Sequence, residues 1–200
     1  LGLDEVETEL AWSSLWHLEL RLARLELNAP TLQLRRDVQG RFFAAGLEIT
    51  PQPGDEDGFS DWLLVQDRVV IRDASIAWTD EKRGAPTLEL KRLNFQLDNN
   101  GNRHRFGLTA EPPRELAARI DVRGDFKGRD IDQLNAWKGE AYAELDYADL
   151  AVWRTWVDYP VALPQGKGAL RLWLGFAGKQ LASATADVRL ADVRLQLRPD

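Results

Sequence analysis

The chain has 200 residues, 44% of them hydrophobic, with a formal net charge of −6 and neither cysteine nor methionine. That is enough apolar chain to bury a real core, which excludes a disordered or low-complexity segment. The missing cysteine removes disulfides, thiolate metal sites and cysteine nucleophiles, and basic residues interleaved with acids argue against a nucleic-acid surface.

The chain enters strand-like alternation at once, at Val6-Glu7-Thr8-Glu9-Leu10, without a methionine at its start. We expect residues 1–200 to be a single β-rich segment of a longer protein. No run reaches the roughly 18 apolar residues of a spanning helix, and no signal peptide is present. Period-two runs follow at Leu18, Leu20 and Leu22, and at Leu32 and Leu34, with turn chemistry at Asn28-Ala29-Pro30 and at Asp37-Val38-Gln39-Gly40. An acidic Pro- and Gly-containing loop over 50–58 leads into the first expected helical insert, 60–66, with Ser60 as its cap.

Alternation resumes at Val69 and Ile71 and again at Leu88 and Leu90, and Asn99-Asn100-Gly101-Asn102 reads as a hairpin tip. Ile120 and Val122 mark a further strand. Two more amphipathic inserts are expected: 130–137, with Asp130 and Gln133 in a capping-box arrangement, and 149–158, with Leu150, Trp153 and Val157 on one stripe. Gly166-Lys167-Gly168 lacks the spacing of a phosphate loop and reads as a hairpin turn. Leu170, Leu172 and Leu174 then lead through Phe176-Ala177-Gly178-Lys179, a second tight turn, to the closing run from Ala186 to Leu197.

One device recurs. Leu20 and Leu22 are followed by Leu25 and Leu27, Val69 and Ile71 by Ala74, Ile76 and Trp78, Leu88 and Leu90 by Leu93, Phe95 and Leu97, and Val188 and Leu190 by Val193, Leu195 and Leu197. Each time the alternation skips one beat, over Ala23-Arg24, Arg72-Asp73, Lys91-Arg92 and Ala191-Asp192. A regular strand would throw the second half of each run onto the opposite face; a β-bulge keeps both halves on one face and adds bend and twist. The expected fold is mainly β: a curved, bulged antiparallel sheet of repeating groove type, apolar inside and charged outside, with a few short amphipathic helices.

Catalytic chemistry is hard to assemble from these residues. His17 and His104 lie far apart, Asp125 to Asp132 lacks the spacing of a calcium loop, and Arg123-Gly124-Asp125 is only a tripeptide match to an adhesion signal. No nucleophile comes with a base and an orienting group, so no enzyme activity, metal or cofactor is expected. Trp62, Trp137, Trp153, Trp156 and Trp173 are read as filling a core where inserts pack on the sheet, or alternatively as lining an apolar groove.

Three stretches carry a family resemblance: residues 152–176, VWRTWVDYPVALPQGKGALRLWLGF; 35–47, RRDVQGRFFAAGL; and 71–113, beginning IRDASIAWTDEKRG. Together they resemble the YhdP-type branch of the AsmA-like bacterial envelope proteins, over nearly the whole chain. The resemblance implies a periplasmic body of β-groove in a protein anchored to the inner membrane, implicated in phospholipid transport between inner and outer membranes and in outer-membrane barrier maintenance. It carries no catalytic residues.

The implied partners are a phospholipid or other acyl-chain lipid, the remainder of the same long chain and other envelope proteins, with no nucleic acid. Expected groove-lining residues are Leu20, Leu22, Leu25, Leu27, Leu88, Leu90, Leu93, Phe95, Val188, Leu190, Val193, Leu195 and Leu197. The competing expectation is a structural, sandwich-like β module in which the same residues form an ordinary core and hold no ligand. An outer-membrane barrel fits the alternation less well, lacking sustained spanning strands with aromatic girdles.

Overall fold

Alternating apolar residues separated by glycine- and asparagine-bearing turns build one 12-stranded sheet. The structure is a computed structural model that describes residues 5–10, 22–48, 63–129, 131–156 and 162–196. In chain order the strands are β1 (Glu5–Leu10), β2 (Leu22–Asn28), β3 (Thr31–Arg36), β4 (Phe42–Ala44), β5 (Leu47–Glu48), β6 (Arg68–Asp80), β7 (Leu88–Asn100), β8 (Arg103–Glu111), β9 (Ile120–Lys127), β10 (Lys138–Asp149), β11 (Ala162–Ala177) and β12 (Gln180–Gln196). From β6 to β12 they form an antiparallel meander in sequence order. The sheet is open and curved.

The first strands depart from the antiparallel expectation. β2 and β3 both run parallel to β6, end to end, with Leu25–Asn28 against Val69–Arg72 and Thr31–Arg36 against Ser75–Asp80. Asn28-Ala29-Pro30 is therefore a kink between two strands that follow one another along β6 rather than a reversing turn. Its backbone stays bonded to β6 on either side, Ala29 N–H donating to Arg72 O (2.8 Å) and Ser75 N–H to Pro30 O (2.9 Å). The turns expected at Asp37–Gly40, Asn99–Asn102 and Phe176–Lys179 do form, the latter two with Gly101 and Gly178 at positive φ.

All four skipped beats are irregularities of register. β2 gains one residue between Leu22 and Arg24, β6 between Ile71 and Ala74, β7 between Leu90 and Leu93, and β12 between Ala191 and Arg194. Three place a non-glycine residue in the left-handed region: Asp73 (φ 52°), Arg92 (φ 45°) and Asp192 (φ 53°). Such a backbone costs about 1–2 kcal/mol per residue, so packing on the apolar face has to outweigh it. Asn94 clasps two bulges together, its side-chain amide donating to Arg92 O (3.0 Å) and its carbonyl oxygen accepting from Asp73 N–H (3.2 Å). β10 repeats the device over Asp146-Tyr147, between Leu145 and Ala148, where the sequence had not suggested it.

Where the structure describes them, the helical inserts are shorter than expected, since Gln66, Trp137 and residues 154–156 are not helical. Residues 63–65 are helical, within the expected 60–66, and Ile131–Ala136 is a 3₁₀ segment broken at Gln133. The third is the four-residue helix Leu150–Trp153, capped by the Asp149 carboxylate, which accepts from Val152 N–H (3.1 Å). Ser60, Trp62, Asp130, the 50–58 loop and Val157 lie outside the described residues. Gly166-Lys167-Gly168 is no hairpin turn: it lies inside β11. A Cβ on Gly168 would stand 3.3 Å from both Leu150 and Leu190, so glycine lets the short helix approach the strand closely.

The bulges yield two stability predictions. Asp73→Val, a β-branched residue at positive φ, should lose about 1–2 kcal/mol in urea unfolding, whereas Asp73→Gly should stay near wild type. Asn94→Ala, which removes both clasps, should lose about 1 kcal/mol in the same measurement.

Candidate functional site: an apolar sheet face

Register aligns the apolar residues of the meander on one side. Leu97, Phe106, Gly124, Ala141, Leu174 and Ala184 lie in one row across the strands, and Phe95, Leu108, Val122, Ala143, Leu172 and Ala186 in the next. Beside the bulges, Ala74, Leu93 and Ala110 form a buried cluster with Ile71, Ile76, Leu90, Phe95 and Leu108 packed round it. Ala110 is only 1% exposed. Bulging brings neighbours on the same face together over these small side chains.

Towards β12 the face opens. Leu181, Val188 and Leu190 are 55%, 52% and 59% exposed, although Val188 and Leu190 sit directly opposite Leu170 and Gly168. Between the bulky rows of β9 and β11, β10 contributes Gly139, Ala141 and Ala143, a lane of small residues about 13 Å long. Aromatic rings cross this end of the face: Phe95 to Phe106 (6.5 Å between centroids), Phe106 to Phe126 (6.1 Å) and Phe126 to Phe176 (6.1 Å). Glycine makes room for them. A Cβ on Gly124 would lie 2.4 Å from the Phe106 ring.

Both strand ends of the face carry apolar groups anchored by polar contacts. At one end, Trp153 Nε1–H donates to Leu116 O and Trp156 Nε1–H to Pro86 O, both at 3.1 Å, over buried Leu116 and Ala117. At the other, buried His104 stacks on Trp137 (5.1 Å, 14°) and faces two oxygen acceptors, Asn99 Oδ1 (2.7 Å) and Gly128 O (3.1 Å). Asn99 is oriented by its amide, which donates to Leu63 O and Gln66 O. A near-planar ring stack needs close approach, and a Cβ on Gly128 would stand 2.2 Å from the Trp137 indole.

The opposite face is charged and cross-linked. Arg68 pairs with Asp98, Arg103 with Asp125, Arg123 with Asp121 and Arg171 with Glu144. The Arg171 guanidinium, with the Tyr142 hydroxyl, holds the Glu144 carboxyl below its ordinary range, as Arg103 does Asp125. In β2, Arg72 and then Arg24 hold Glu26 below its ordinary range against the opposing effect of burial. A cleft of about 460 Å³ on the charged face contains Trp173, 44% exposed and 5.3 Å from the Tyr142 ring. Trp173 therefore belongs neither to a core under an insert nor to an apolar groove.

The structure gathers the expected lining residues it describes onto the apolar face. Leu88 and Leu93 are buried, and Leu90 and Phe95 pack round the central cluster. Leu25 and Leu27 stand beside Val69 and Ile71, the row that continues through Leu97 and Phe95. Val193 remains on the Leu190 side past its bulge, because a Cβ on Gly166 would meet it at 3.5 Å and one on Gly168 would meet Leu190. Leu20 and Leu197 lie outside the described residues; Leu22 and Leu195 are placed only as backbone in β2 and β12. Sequence reading missed the β8 to β11 part of the face, including Phe106, Phe126, Leu172, Leu174 and Phe176. Their alternation was the available signal, but they adjoin no skipped beat on their own strands.

The model of the YhdP protein family matches residues 1–200 of the chain. The chain belongs to the YhdP family. This places it among the AsmA-like envelope proteins. No curated protein and no solved structure matches it. Among the described residues of this YhdP-family chain, no helix is long and apolar enough to cross a membrane.

The paired carboxylates set a pH dependence. Glu26, Glu144 and Asp125 all have folded-state pKa values below their unfolded ones. Their contribution is complete above the unfolded carboxylate range of about 4 and is lost as pH falls through the depressed values. Urea unfolding should show stability decreasing from about pH 5 to pH 3, and Arg72→Gln together with Arg171→Gln should flatten that decrease.

Proposed function

We propose that the chain is a lipid-binding segment of an envelope protein that carries phospholipid between the inner and outer membranes, with the apolar sheet face as the surface along which acyl chains lie. The observation that supports this most directly is the exposure of Leu181, Val188 and Leu190, which continue an apolar face on an otherwise charged sheet. Each methylene removed from water contributes about 0.8 kcal/mol, so one long acyl chain gains on the order of 10 kcal/mol before ordering costs. No catalytic group is needed. Transfer along the surface is passive, and the headgroup stays in water while the chain is covered.

Family membership supports the envelope setting, and residence in the periplasm as part of an inner-membrane-anchored protein belongs to the same proposal. The structural-module reading has its own support in the buried cluster of Ala74, Leu93 and Ala110, which makes the β6 to β8 half a closed core. The two readings divide the sheet between them. One half holds the shape, and the β10 to β12 half offers the surface.

Mass spectrometry of the purified protein should find phospholipid bound. Val188→Asp with Leu190→Asp, at exposed positions, should cut that lipid several-fold while leaving the unfolding midpoint within about 0.5 kcal/mol of wild type. A lipid-free protein, or full retention by the double variant, would sink the proposal.

A further inference from the structure

One end of the sheet departs from the charge pairing found elsewhere on its polar face. In register across β8, β9 and β10, Arg103 stands opposite Lys127, and Lys127 opposite Lys138: three cations in one row. Arg103 is paired with Asp125, and Lys127 feels the same carboxylate at longer range. Among the described residues Lys138 has no carboxylate within ion-pair reach, nor has Lys179 at the tip of the β11–β12 hairpin. Like charges directly opposite one another on adjacent strands destabilise a sheet unless something offsets them.

The row adjoins an apolar cavity. A space of about 310 Å³ is lined by Phe126, Trp137 and Phe176, with Gly178, and both Lys138 and Lys179 stand at its margin. Its Phe126 and Phe176 walls flank Gly139, the first of the small residues on β10, which the Phe126 ring overlies. The rings fix its walls: Trp137 is stacked on His104, Phe126 leans towards Phe176, and Gly178 N–H donates to Trp137 O (2.6 Å).

Cations without carboxylate partners among the described residues, beside an apolar cavity, suit a molecule that is anionic at one end and apolar at the other. We infer that this corner is the headgroup site of the apolar face: Lys138 and Lys179 hold the phosphate of an anionic phospholipid, and its acyl chain enters between Phe126, Trp137 and Phe176 and continues along Ala141 and Ala143. The inference rests on the lipid-binding reading and adds to it an end, a polarity and a preference for negative charge. A zwitterionic headgroup gains less, because its own cation meets the lysines.

The test uses two lysolipids with the same chain, lysophosphatidylglycerol and lysophosphatidylcholine, each titrated calorimetrically into the purified protein below its micelle threshold, with glycerol phosphate as the chainless control. Lysophosphatidylglycerol should bind about five- to thirty-fold more tightly than lysophosphatidylcholine, as two lysines near one phosphate imply. Lys138→Gln with Lys179→Gln should remove that difference, bringing lysophosphatidylglycerol affinity down to about that of lysophosphatidylcholine. Glycerol phosphate should not bind measurably. Equal affinities for the two lysolipids, unmoved by the double variant, would overturn the headgroup site and leave the lipid-binding face standing. Glycerol phosphate binding as tightly as lysophosphatidylglycerol would mean a free-phosphate site instead. Binding of neither lysolipid would overturn both readings.

Discussion

Everything in this structure depends on keeping apolar side chains on one face of a strand that must also bend. A strand alternates faces with period two, so a bend made by adding one residue would normally reverse every side chain beyond it. The chain avoids that by doubling the polar positions at the added residue. Arg72-Asp73 and Lys91-Arg92 are skipped in register, Ala74 and Leu93 return to the face they would otherwise leave, and Asp73 and Arg92 take up left-handed backbone. Strain at a few exposed residues is exchanged for a continuous apolar surface across the sheet.

The irregularities also fall together. Ala29, at φ 46°, lies beside the β6 bulge, and Asn94 bridges that bulge to the one in β7. Ala110 stands opposite Ile120, and Ile120 opposite Leu145, just ahead of the β10 bulge. A single bulge bends one strand; a seam of them bends a sheet. A buried apolar cluster of Ala74, Leu93 and Ala110 lies on that seam, where neighbouring side chains pack over small ones. Towards β12 the same face is open, and that difference separates a structural half from a surface suited to acyl chains.

The charged face and the apolar face play different physical roles. Arginine–carboxylate pairs on exposed strands contribute little each, but they make the sheet's outer side costly to cover with hydrocarbon. An amphiphile therefore has one side to choose. At the corner where pairing lapses, cations and an apolar aromatic cavity meet, and the two faces can be used by one molecule at once.

The sequence alone determined the local geometry. Alternation, the four skipped beats and the hairpin tips at Gly101 and Gly178 were readable because strand facing, bulging and positive φ are properties of a few consecutive residues. The β10 bulge over Asp146-Tyr147 escaped notice because alanine and tyrosine blur its pattern. Only the tertiary structure decided what neighbours what. That β2 and β3 run parallel to β6, that Gly166 and Gly168 serve a helix packed on a strand, that Trp173 faces the charged side, and that Lys127 and Lys138 stand opposite one another all depend on register between distant segments. Periodicity says which side of a strand is apolar; it carries no information about which strand comes next, and so none about where a curved face closes and where it stays open.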